Sequence, residues 1–189
     1  MRGWRDARTQ KGLALALAAA FSLGGAAAAF GVLAKTSLAP APVFFEVPWP
    51  FPIDQWGTGK AFRCAAMKCG VQVDLYLHAK LGSCNCTIGI ASDEELDRMS
   101  DFDLLGGDVS ALRGGRPVAV GRMQGRSGTY AVHAAPGKGA ISVVVNDRCD
   151  MVVATAVLSQ DRLAAMEPAV LQFLNSPTVL RWAELALGL

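Results

Sequence analysis

"GAISVVVNDRCDMVVATAVLSQDRLAAMEPAVLQFL", residues 139–174, contains the change of period on which the fold turns. Residues 139–147 and 150–159 are rich in Val, Ile, Ala and Thr and read as two strands paired across Asn146-Asp147-Arg148. From Asp161 the apolar positions Leu163, Met166, Val170, Leu171 and Leu174 fall on one face of a helix. A second helix follows, with Ser176 as N-cap and Pro177 at the first helical position, where its missing N–H costs nothing.

Further toward the N-terminus the pattern is again mostly strand. "VQVDLYLHA" (71–79) alternates Val71, Val73, Leu75 and Leu77 with Gln72, Asp74, Tyr76 and His78, the period of a half-buried strand. "CTIGIA" (86–91) reads as another strand. Ser92 followed by Glu95 is a capping-box pattern that predicts a short helix. "RPVAVGRMQ" and "GTYAVHA" flank the turn-like "GRSG", which predicts a hairpin over 116–134. Strands followed by C-terminal helices predict an α+β domain, one small antiparallel sheet covered by helix on one face. This order of elements resembles that of PsbP/Mog1-type sheet-and-helix domains. The absence of strand–helix–strand alternation argues against a doubly wound nucleotide-binding sheet.

Residues 1–11 carry Arg2, Arg5, Arg8 and Lys11 against Asp6, and residues 12–34 carry no charge. A run of 23 uncharged residues is long enough to cross a hydrocarbon core, with its basic flank left in the cytoplasm. The same stretch ends in small residues where a signal peptidase cuts. Residues 12–34 are therefore expected to be a transmembrane anchor or a removed signal peptide. Either places the rest outside the cytoplasm, on a bacterial-type inner membrane facing the periplasm or secreted into it. Residues 35–59 are rich in Pro and aromatics and read as a tether, partly packed on the domain of residues 60–189.

Beyond residue 34 there remain 14 bases and 15 acids, a net charge of −1. The basic pI of the whole chain thus belongs to the targeting region, and nucleic acid is not an expected partner. The acids cluster in 93–108 (Asp93, Glu94, Glu95, Asp97, Asp101, Asp103, Asp108), whereas Arg113, Arg116, Arg122, Arg126 and Lys138 follow without an acid among them. Such segregation makes either solvated faces or opposed patches that steer a partner.

The five cysteines are Cys64, Cys69, Cys84, Cys86 and Cys149. In an oxidising compartment the expectation is structural disulfides. On a strand, Cys84 and Cys86 would have Cα atoms about 6.5–7 Å apart, too long for a relaxed bond between them. They are expected to bond outward, to the Cys64–Cys69 turn or to Cys149. The alternative is a thiol-redox centre, or a Zn²⁺ or Cu(I) site formed by Cys64, Cys69, Cys84 and Cys86.

Catalytic motifs fail on inspection. "GTGKA" and "PGKGA" lack the phosphate-cradling pattern, and "GRSGT" lacks the second glycine of a nucleophile elbow. His78 and His133 each fall on a predicted strand without a neighbouring nucleophile. Asp93, Asp101 and Asp103 lack the alternating spacing of a Ca²⁺ loop. No catalytic residue, cofactor or metal is expected. The function expected is a non-enzymatic accessory or binding module with an envelope protein as partner.

Overall fold

The structure is a computed structural model, and residues 42–82 and 87–189 are described. Residues 12–34 and the cysteines at 84 and 86 lie outside them. No helix among the described residues is long and apolar enough to cross a membrane.

Seven strands form one sheet: β1 (Phe45–Val47), β2 (Lys60–Cys64), β3 (Val73–Lys80), β4 (Val109–Val120), β5 (Met123–Val132), β6 (Lys138–Asp147) and β7 (Asp150–Ser159). Their order is β1-β2-β3-β7-β6-β5-β4, with every neighbour antiparallel. The sheet is thus two meanders joined where β3 pairs with β7. Among the described residues four α-helices accompany it, α1 (Ala66–Cys69), α2 (Asp93–Met99), α3 (Leu163–Leu174) and α4 (Pro177–Leu187), with 3-10 turns over Phe102–Leu105 and Gln160–Arg162. The α+β class and the C-terminal helices agree with the sequence reading.

That reading expected helix on one face only, and here the structure differs. The C-terminal helices cover one face: Leu75, Leu77, Val143, Val145, Ala154 and Ala156 pack there with Leu163, Val170, Leu174, Val179 and Ala183. The other face is covered by α2 and the 3-10 turn, where Leu96 and Phe102 meet Tyr130, Val144, Met151 and Val153. Topology explains the second layer. β3 ends beside β7 while β4 lies at the far edge, so the connection must cross the sheet, and it brings α2 with it. β6 and β7 are consequently buried on both faces, which is why their apolar runs do not alternate.

Two local expectations also change. The β4–β5 turn falls at Gly121-Arg122, between the paired residues Val120 and Met123. "GRSG" (125–128) instead lies inside β5. Its glycines mark close approach rather than a turn: a Cβ at Gly128 would lie 2.7 Å from the Tyr130 hydroxyl and 3.0 Å from Leu96 Cδ2. Residues 87–91 form no strand. The capping prediction at Ser92 holds, since its Oγ accepts the Glu95 backbone N–H at 3.2 Å. The Glu95 carboxylate reaches back to the N–H of Ala91 at 2.8 Å, one residue earlier than the box pattern prescribes.

The aromatic segment before β2 wraps around this edge of the sheet. Phe44 stacks on Phe173 of α3 at 4.4 Å between ring centroids. β1 then pairs with β2. Beyond β1, Trp49 and Phe51 pack on Tyr76 of β3 (ring centroids 6.1 and 4.8 Å apart). Tyr76 and His78 alternate with the α3-facing Leu75 and Leu77 and so lie on the opposite, α2-covered face. One short stretch therefore anchors both layers.

Candidate functional site

β3 presents Tyr76, His78 and Lys80 on the face away from α3 and α4, at every second residue. Two of these, His78 and Lys80, are basic groups on a largely covered strand, and each finds a partner just beyond the end of α2. His78 is 3 % exposed, and its Nδ1 lies 3.0 Å from Asp101 Oδ2. The other Asp101 oxygen pairs with Lys80 Nζ. Burial alone raises the pKa of Asp101. The His78 hydrogen bond and the Lys80 charge outweigh it and hold the carboxyl below its ordinary range. An ionised Asp101 can only accept, so Nδ1 of His78 donates to it, and the other ring nitrogen is Nε2.

That Nε2 is buried and has no hydrogen-bond partner. Trp49 shields it, its ring centroid 4.7 Å from that of the imidazole. Trp49 fits closely because β2 is preceded by glycine: a Cβ on Gly59 would come within 2.6 Å of the indole. A His–carboxylate pair of this kind has the orientation of a general base. Here its free nitrogen is covered by the arm, and no Ser, Thr or Cys side chain hydrogen-bonds it.

Outside this cluster lies an open groove of ≈ 720 Å³. Phe51, Pro52 and Trp56 form one wall; Arg98, Met99 and Leu104 form the other. Lys80, Ser100 and Asp101 lie at its floor, and Asp54 and Asp103 add carboxylates to its lining. Lys80 Nζ stands 5.8 Å from the centre of a Trp56 ring and 3.5 Å from the Met99 carbonyl. Trp56 also borders a second cavity of ≈ 340 Å³, lined on its far side by Trp182 and Leu81.

The remaining charges are largely consumed within the fold. Glu167 of α3 is 2 % exposed and receives Arg113, Arg116 and the Ser127 hydroxyl. Burial opposes its ionisation, but the hydrogen bonds from Arg116 and Ser127 prevail and lower its pKa. Asp93 accepts from Arg126 at 2.5 Å and from the Gly115 N–H at 3.0 Å. Asp97 accepts the Tyr130 hydroxyl at 2.6 Å, which with burial drives the Tyr130 pKa upward. Much of the acidic block and the basic block that follows thus clamp α2, β4, β5 and α3 together rather than standing as opposed patches. His133 is exposed and contacts Ser110. Among the described residues no three His, Cys, Asp or Glu side chains are gathered to hold a metal ion.

Cys64 and Cys69 are bonded to each other, Cα atoms 6.0 Å apart, across α1. The expectation that this turn bonds to residues 84–86 is thereby corrected: α1 folds the chain back and brings the two cysteines within reach. Cys149 is disulfide-bonded as well.

Sequence reasoning missed the groove and the His78–Lys80–Asp101 cluster. The available signal was the polar side of β3, whose i, i+2 spacing put two basic residues toward whatever covers that face. The partner, Asp101, is supplied by the crossover, which no local pattern placed over β3.

No protein-family model matches the chain, and no curated protein matches it. Among solved structures, the chain is similar to the solution structure of cyanobacterial PsbP (CyanoP) from Synechocystis sp. PCC 6803. The identity is 12%, the TM-score 0.44, and the match covers 71% of this chain and 78% of that one.

Proposed function

We propose that this chain is a non-enzymatic accessory module of the extracytoplasmic side, membrane-tethered or exported, that docks an envelope protein in the groove beside Trp56. The observation that carries this reading is the groove itself, with an aromatic wall from the arm and a mixed wall from α2 and the 3-10 turn. The covering of His78 Nε2 by Trp49 supports binding over acid–base chemistry at this place. The Cys64–Cys69 bond fits an oxidising compartment, the periplasm in a bacterial-type envelope.

A redox or metal role for Cys64, Cys69, Cys84 and Cys86 draws less support. Cys64 is fully buried and already bonded to Cys69.

The test is a photo-reactive residue installed at Gln55, in the groove, or at Ser110, on β4, in the full chain within its native envelope. The reading predicts a discrete adduct from Gln55 and none from Ser110. Equal labelling from both positions, or none from Gln55, would refute it.

A further inference from the structure

We infer that the groove receives a Lys or Arg side chain borne on an extended segment of the partner; this rests on the reading of the groove as the docking site. The chain's own Lys80 displays the chemistry. Its ammonium is held by the Asp101 carboxylate, the Met99 carbonyl at 3.5 Å and a Trp56 ring at 5.8 Å. Met99 is the last residue of α2, so that carbonyl belongs to the negative end of the helix. Indole faces attract cations for the same electrostatic reason.

Lys80 does not exhaust this potential. It is neutralised by Asp101, and the other charged residues lining the groove are Arg98 and two further carboxylates, Asp54 and Asp103. Asp54 Oδ1 accepts the backbone N–H of Trp56 at 2.7 Å, which fixes that carboxylate next to this residue of the groove lining. Among the described residues the Asp103 side chain has no hydrogen-bonding or ionic partner, and it is exposed. A second cation entering here gains Asp103, Asp54 and the free area of Trp56, with only Arg98 opposing it. The groove holds far more than one side chain, and the surface continues past Trp56 into the cavity walled by Trp182. That shape suits an extended segment rather than a free amine.

The test uses the full chain and two labelled, end-blocked Gly/Ser peptides, one carrying two arginines and the other two glutamates, read by fluorescence anisotropy. The arginine peptide should bind and the glutamate peptide should not, with binding weakened by added salt. Asp103→Asn and Trp56→Leu should each weaken it about three- to tenfold. Arg98→Gln, which removes the opposing cation, should strengthen it by a similar factor. Circular dichroism confirms that each variant is folded. Equal binding of both peptides, or an Arg98→Gln variant that binds the arginine peptide no better, would overturn the inference. If neither peptide binds while Gln55 still cross-links in the envelope, the cationic ligand is wrong and the docking site stands. If both experiments fail, both readings fall.

Discussion

Lys80, His78 and Asp101 illustrate how a strand carries charge beneath a covering layer: the ammonium and the imidazole Nδ1 each meet an oxygen of one carboxylate at close range, and only His78 Nε2 is left over. Glu167 follows the same rule with Arg113, Arg116 and Ser127. Both carboxyls titrate below the ordinary range in the folded chain. Such a group adds stability above its unfolded pKa, about 4, and that share is lost as the pH falls through the lower folded value. Asp101→Asn and Glu167→Gln should therefore flatten the acid limb of a urea-denaturation pH profile. An acid limb unchanged in both variants would contradict the assignment. Thr155 offers a contrast, since its hydroxyl is buried without a partner. Thr155→Val should leave the urea midpoint unchanged or raise it, because no hydrogen bond is lost. A loss above about 1 kcal/mol would mean that the hydroxyl is in fact bonded. The residue-level chemistry was only partly legible. Alternation placed His78 on the polar side of its strand, but only tertiary contact could supply Asp101.

At the level of elements, α2 is the decisive piece, because it turns a one-sided sheet into a three-layer domain. Leu96 is fully buried on that face, and Leu96→Ala should cost about 2–5 kcal/mol in equilibrium unfolding. Removing the cap by Ser92→Ala should cost about 1 kcal/mol. Costs near zero for both would mean that α2 does not pack as described. The sequence showed α2 itself, through the Ser92–Glu95 pattern, but not its position. Three contiguous apolar residues in β6 (Val143, Val144, Val145) already carried that information: a strand apolar on both sides must be covered on both sides. "GRSG" misled for a related reason. A glycine needed so that Tyr130 and Leu96 can approach looks, in sequence, like one needed for a turn. The C-terminal helices were legible throughout, since the period of α3 and the Ser176 cap of α4 are local signals.

At the scale of the whole molecule, the described residues join a sheet that carries the Cys64–Cys69 bond to a groove of mixed aromatic and charged lining, while export is the expectation that the sequence of residues 12–34 raises. Cys64 is bonded to Cys69, and Cys149 is disulfide-bonded as well. Titration of the unfolded, unreduced chain should find one thiol per molecule; three or more would remove a bond from this description. Reduction should lower the melting temperature, with the short Cys64–Cys69 loop contributing about 2 kcal/mol. The arm shows why the groove escaped sequence reading. Its prolines and aromatics signalled a packed tether, but the wall it builds exists only because Trp49 seats on Gly59 and β3 brings Tyr76 beneath Phe51.

The docking surface is tested most directly by amide hydrogen exchange on the full chain, alone and in the complex recovered from its own envelope. The account predicts slowed exchange in residues 51–56 and 98–104, the two walls of the groove, with β4 unchanged. Protection confined to the β4 edge at 109–117, with both walls exchanging as in the free chain, would contradict it.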